Sequence, residues 1–201
     1  MDQFQLIQIT PELLTELRQG ITPMSLLKFL LQLLRSQFSE FDDYRWRKDE
    51  NETDIIIDLA DINDKRLETE KRALWLKRGN VSISKTGLDN AKSLTLSNGK
   101  EEFASTKSGN LVIMCASKNL LEVEEMSDLV SHMAESWASK IRLFLGLDSF
   151  NVSNNGEPGV SDDVVGSYII PIIIQYSYKD CWTLQLQTVK LEDIKITTNI
   201  E

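Results

Sequence analysis

Histidine and cysteine are almost missing from this chain: one histidine, His132, and two cysteines, Cys115 and Cys181, in 201 residues. A single histidine argues against a histidine-based metal site or a Ser–His–acid triad. Two cysteines cannot frame a disulfide scaffold, and each lies in an apolar run where a reduced, buried thiol is expected. Long apolar runs are missing too. The strongest, 26–34 and 168–174, fall well short of the ~20 residues that a membrane helix requires. The first ten residues carry an early acid and no basic stretch, unlike a secretory signal. The nine glycines are scattered, and none forms a phosphate-cradling pattern, so no nucleotide cofactor is expected. Positive charge is the minority, 22 Lys and Arg against 31 Asp and Glu, for a net charge of −9. That balance argues against a general surface that grips nucleic acid or anionic lipid.

What is present is ordinary for a soluble domain: 41% hydrophobic and 26% charged residues. The length suits a single domain over 1–201, with helices in 1–40 and a sheet in 41–201. A chain of this size buries roughly 70% of its unfolded surface, enough for a core without staples.

The opening repeats one device. Ile9-Thr10-Pro11 and Ile21-Thr22-Pro23 each offer a Thr N-cap, a Pro at the first helical position and a preceding Ile as a hydrophobic staple, on Leu14 and Leu26. This predicts helices at 11–19, stopped by Gly20, and at 23–38. The second is apolar on more than one face and should lie between layers. A third helix is predicted at 120–145. Met126, Leu129, Val130, Met133, Trp137, Ile141 and Phe144 recur at three and four, opposite Glu125, Asp128, Ser131, Glu135, Ser139 and Arg142. Glu122, Glu124 and Glu125 load its first turn, and Gly146 ends it.

Between and after the helices, strand signals dominate. Ile55, Ile56 and Ile57 form a short β-branched run. Segments 73–77 and 81–84 flank Gly79-Asn80, which reads as a bulge or a hairpin turn, and 110–116 reads as a buried central strand. Further turn signals stand at 87–90 and 98–99. Segment 151–163 reads as a polar loop, and 168–176 and 182–187 as a terminal hairpin turned at Lys179-Asp180. Pro171 marks an edge or a bulge. The fold class is α+β: a mixed or antiparallel sheet, a long helix packed across one face, and an N-terminal helical pair.

No set of residues points to catalysis, a metal or a cofactor. His132 reads as a helix-surface residue, Ser84 and Ser117 as turn or cap hydroxyls, Cys115 as an inert core thiol, and the acids near Glu122 as helix-start residues. Trp75, Trp137 and Trp182 read as core. The candidate interface residues are instead a basic–aromatic cluster, Tyr44, Arg45, Trp46 and Arg47, expected as a short edge strand. To these are added the turn Asn154, Asn155, Gly156, Glu157, Pro158 and Gly159, expected to be a docking loop, and Pro171.

In order of elements, region 23–186 resembles the tail terminator, or neck, proteins of tailed bacteriophages. The corresponding parts are the helix 23–38, the strands 55–116, the helix 120–145, the variable segment 151–163 and the closing strands 168–187. The most suggestive stretch is 109–117, followed by the acid-started helix and the strand with Ile169, Pro171, Ile173 and Tyr176. The extra helix at 11–19 and the longer strand region 73–117 depart from the pattern. The resemblance implies a structural virion protein rather than an enzyme, assembled in the host cytoplasm. It implies a hexameric ring that caps the tail tube and joins it to the head connector. DNA would pass through the lumen without specific binding, and no membrane would be involved. The alternatives are another connector or baseplate ring subunit, or a non-viral protein-interaction domain.

Overall fold

The computed structural model describes residues 10–60, 71–85, 100–160 and 167–185. The chain divides into two compact units, Met1–Ser84 with Thr106–Asp180, and Lys85–Ser105 with Cys181–Glu201. In the second unit the described residues, Lys85, 100–105 and 181–185, are all strand.

The first unit begins with α1 (Pro11–Gln19) and α2 (Pro23–Phe38). The predicted caps form. Thr10 accepts from the Leu13 N–H, and Thr22 accepts from the Ser25 N–H at 3.0 Å. Ser25 Oγ returns the favour by accepting the Thr22 N–H at 2.8 Å, completing a capping box. The staple of Ile9 on Leu14 lies outside the described residues. Leu26, Leu27, Phe29, Leu30, Leu33, Leu34 and Phe38 are all buried, so α2 does present apolar residues around most of its girth. The third helix, α3 (Leu120–Leu145), is closed by Gly146 at φ 67°, a left-handed conformation open to glycine at little cost.

Six strands form one mixed sheet: β1 (Ile55–Leu59), β2 (Arg72–Lys85), β3 (Lys100–Ser117), β4 (Ser149–Asn155), β5 (Gly159–Val160) and β6 (Tyr168–Gln185). The order is β1-β2-β3-β6-β4, with β5 also against β6. β1 and β2 are parallel, from Ile55 opposite Arg72 to Leu59 opposite Leu76. β4 and β5 run antiparallel to β6. The α+β class with a mixed sheet is therefore the one observed.

Period-two alternation sorts the strand residues by face. Ile55, Ile57, Leu74, Leu76, Leu111, Ile113, Ile172 and Ile174 share one buried cluster with the apolar residues of α2 and α3. Ala73, Trp75 and Ala116 form a smaller cluster with Ile56, Met114 and Ile169. In α3, Met126, Val130, Met133, Trp137 and Ile141 are buried as the periodicity predicts. Two positions differ. Ser131, read as outward, is buried, and Phe144 is half exposed, stacked on the Phe29 ring at 5.8 Å.

Several local readings are corrected. Gly79-Asn80 is not a turn, because β2 runs straight through it. A Cβ at Gly79 would lie 2.4 Å from Asn110 Oδ1, so glycine is there to let β3 approach. Lys179-Asp180 is likewise inside β6, where Asp180 pairs with Lys107 of β3 at 2.5 Å, so these residues do not turn a hairpin. Much of 151–163 is strand, in β4 and β5, rather than loop. Cys115 is buried, but Cys181 is exposed. Trp75 and Trp137 are core; the side chain of Trp182, the turn signals at 87–90 and 98–99, and the end of 151–163 fall outside what is described.

Candidate functional site: the two ends of the sheet

The strand order leaves β1 at one end of the sheet and β4, continued by β5, at the other. The two sequence-selected segments lie at these opposite ends, both within the first unit.

Segment 44–48 is not the strand that its alternation predicts. Tyr44, Arg45 and Trp46 are all half-buried, and only Arg47 and Lys48 are exposed. Its backbone is used to brace the start of β1. The Trp46 N–H donates to Phe38 O at 3.0 Å, and the Asp54 N–H donates to Arg45 O at 2.9 Å. The Arg47 N–H donates to the Thr53 hydroxyl at 2.9 Å, and that hydroxyl donates on to Ile55 O at 2.7 Å. Thr53 is buried, so this relay leaves little of its polarity unsatisfied.

Arg35 organises the rest of this end. Its Nε donates to Ile57 O at 2.9 Å, its guanidinium pairs with Asp58 at 3.3 Å, and its plane covers the Trp46 ring at 5.2 Å. The Ala60 N–H bonds to Leu76 O, so residues of the same parity as Ala60 face β2, and Ile55 and Ile57 face away from it. Two outward carbonyls of β1 thus end on side chains, Thr53 and Arg35. A cavity of about 210 Å³ runs beside β1, lined by Arg35, Trp46, Arg47, Lys48, Glu50 and Thr53 and by residues of the strand itself.

A second network lies at the start of α3. The Arg72 guanidinium sits over the Tyr44 ring at 4.9 Å and donates to Glu122 at 2.8 Å. Ser117 donates to the other Glu122 oxygen at 2.7 Å. These bonds, Arg72 first and Ser117 second, hold the Glu122 carboxyl below the usual carboxylate range. The Tyr44 hydroxyl donates to Glu125 at 3.2 Å, and burial followed by that bond pushes its pKa up. Arg45 pairs with Asp42, while its Nε is buried with no acceptor among the described residues. Glu122 and Glu125 are therefore more than helix-start acids; each is engaged by a residue from elsewhere in the chain.

The opposite end is managed through the backbone. β4 pairs with β6 from Ser149 opposite Ser177 to Asn154 opposite Ile173 and Asn155 opposite Ile172, with a bulge between Val152 and Asn154. Pairing resumes at Gly159 opposite Ile169. Pro171 lies on β6 at the gap between the two. Its strand has β3 on one side and β4 with β5 on the other, so the proline marks a break in the ladder and not an outer strand. Its carbonyl accepts the Gly156 N–H at 2.7 Å, and a Cβ on Gly156 would lie 2.5 Å from the Pro171 ring. Glu157, Pro158, Gly159 and Val160 are exposed, Val160 at 70%.

Gly156 and Pro171, distant in sequence, are thus brought together, while 44–47 and 154–159 are kept apart. Sequence reasoning missed Arg35, Asp58 and Arg72, whose ion-pair partners lie more than 22 residues away. His132 is exposed on α3, and burial pushes the Cys115 thiol up. No group of three potential metal-ligating residues occurs among the described residues. No helix there is long and apolar enough to cross a membrane. No family model and no curated protein matches this chain.

Proposed function

We propose that this chain is a structural ring subunit of the neck of a tailed-phage virion, resembling a tail terminator that caps the tube and joins it to the head connector. The observation that carries the reading is the placement of the two selected segments at opposite ends of one sheet. A ring needs heterologous contacts, in which one patch meets a different patch on the neighbour. Two unlike sheet ends in one subunit supply such a pair, one with Trp46, Arg47 and Lys48 along a groove, the other bearing Glu157 and Val160. The acidic balance supports the same reading, since a ring traversed by DNA should not grip it. In this role the chain works by assembly and not by catalysis.

The test is particle assembly without the chain. Electron microscopy is expected to show filled heads and separate tails, and adding back the protein should join them. Normal joining in its absence would remove the neck assignment.

A further inference from the structure

We infer that copies of this chain associate head to tail, the 156–160 turn of one copy docking into the groove between β1 and segment 46–48 of the next. The β1 end is not an open ladder that any strand could extend, because Ile55 O is held by Thr53 and Ile57 O by Arg35. Side chains blocking an outer strand in this way suppress unspecific pairing and leave recognition to groove walls. The groove is lined by charges of both signs, Arg35, Arg47 and Lys48 with Glu50 and Asp58, and of these Arg35 pairs with Asp58. Arg47 and Lys48 are exposed and make no ion pair among the described residues. At the far end, Glu157 is exposed beside Val160, an apolar side chain held 70% in solvent. Arg47 and Lys48 are complementary to Glu157, and the cavity of about 210 Å³ beside Trp46 has room for an apolar side chain.

Because the patches differ, each copy keeps one of each free after pairing, and association continues until a ring closes or a filament grows. This deepens the ring reading and rests on it only for closure; the contact itself is tested with purified protein alone.

The experiment uses two charge reversals on the full chain. Arg47→Glu with Lys48→Glu makes the groove acidic, and Glu157→Lys makes the turn basic. Each variant is checked for folding by circular dichroism and followed by light scattering over a concentration series. Wild type is expected to self-associate, and each variant alone to do so about tenfold more weakly or worse. An equimolar mixture of the two should recover association to within about threefold of wild type, since each groove then meets an opposite charge. Misfolding cannot produce that recovery. A monomeric wild type, variants that associate normally, or a mixture that does not recover would each overturn the inference. Neck function is read separately in the joining of heads and tails, so loss of one result leaves the other standing.

Discussion

At β1, the outward carbonyls are met by a threonine hydroxyl and an arginine, and the arginine is itself pinned between Asp58 and Trp46. At β4, the side-chain bonds run inward to β6: Ser153 Oγ donates to Ile173 O at 3.1 Å, and the Ser149 and Ser177 hydroxyls meet at 2.6 Å. A bulge, a glycine and a proline interrupt the ladder in the backbone itself. Both devices limit runaway strand pairing, but they differ in what they leave exposed. The first leaves a walled groove beside the exposed Arg47 and Lys48. The second leaves an exposed turn, 157–160, anchored by the contact of Gly156 with Pro171. The comparison teaches that one sheet can end in two ways, by side chains that cap outward carbonyls and by a break in the backbone ladder.

The largest expected effect comes from removing the aromatic floor of the β1 end. Trp46→Ala deletes a half-buried ring and the surface on which Arg35 rests, and should cost about 2–3 kcal/mol, below the range for a fully buried ring. Urea unfolding would measure it; a loss under about 1 kcal/mol would show that the β1 end does not depend on this stack. At the other end, Gly156→Ala forces a methyl to within 2.5 Å of the Pro171 ring. A loss of about 1–3 kcal/mol is expected, with faster amide exchange at Gly159 and Val160. Unchanged exchange there would mean that the turn is shaped by something other than this contact.

Arg35→Met keeps the packing stem and removes the charge, the hydrogen bond to Ile57 O and the pair with Asp58. The expected cost is about 1–2 kcal/mol, with amide exchange accelerated in β1 and unaltered in β4. Equal acceleration in both strands would erase the distinction drawn between the two ends. The smallest effect concerns pH. Glu122 has its folded-state pKa lowered by Arg72 and Ser117, so the unfolded state binds protons more readily. Its contribution is complete above the unfolded value of about 4.3 and drains away as pH falls through the lowered folded value. Glu122→Gln should therefore cost about 1 kcal/mol at neutral pH, partial exposure limiting the effect, and flatten the acid limb of the stability curve. An acid limb identical to wild type would remove Glu122 from the account.

The helices were legible because their signals are local. Thr10-Pro11, Thr22-Pro23 and Gly146 act within one turn of the residues they terminate, and the structure places all three where expected. The long strands were less legible because tertiary pairing overrides local turn preference. Gly79-Asn80 has the composition of a hairpin turn, yet the approach of Asn110 makes glycine a requirement of strand contact. Lys179-Asp180 looks like a polar turn until Lys107 supplies a partner across the sheet. The candidate interface was half legible. Its composition drew attention to 44–47 and 154–159, but alternation misled at Tyr44–Trp46, where all three residues are half-buried and Tyr44 and Trp46 meet the remote Arg72 and Arg35. Arg35 and Arg72 carried no signal at all, since nothing near them in sequence reveals Ile57 O or Glu122 as partners.

The contrast between the two thiols has a practical consequence. Cys115 is wholly buried and its proton is held by desolvation, whereas Cys181 is exposed. A maleimide at neutral pH should therefore modify one sulfur per native chain and a second only when the β3 core opens. Counting adducts by mass spectrometry along a denaturant series would let the wild-type molecule report its own opening, and a dye on Cys181 would mark β6 without a single engineered residue.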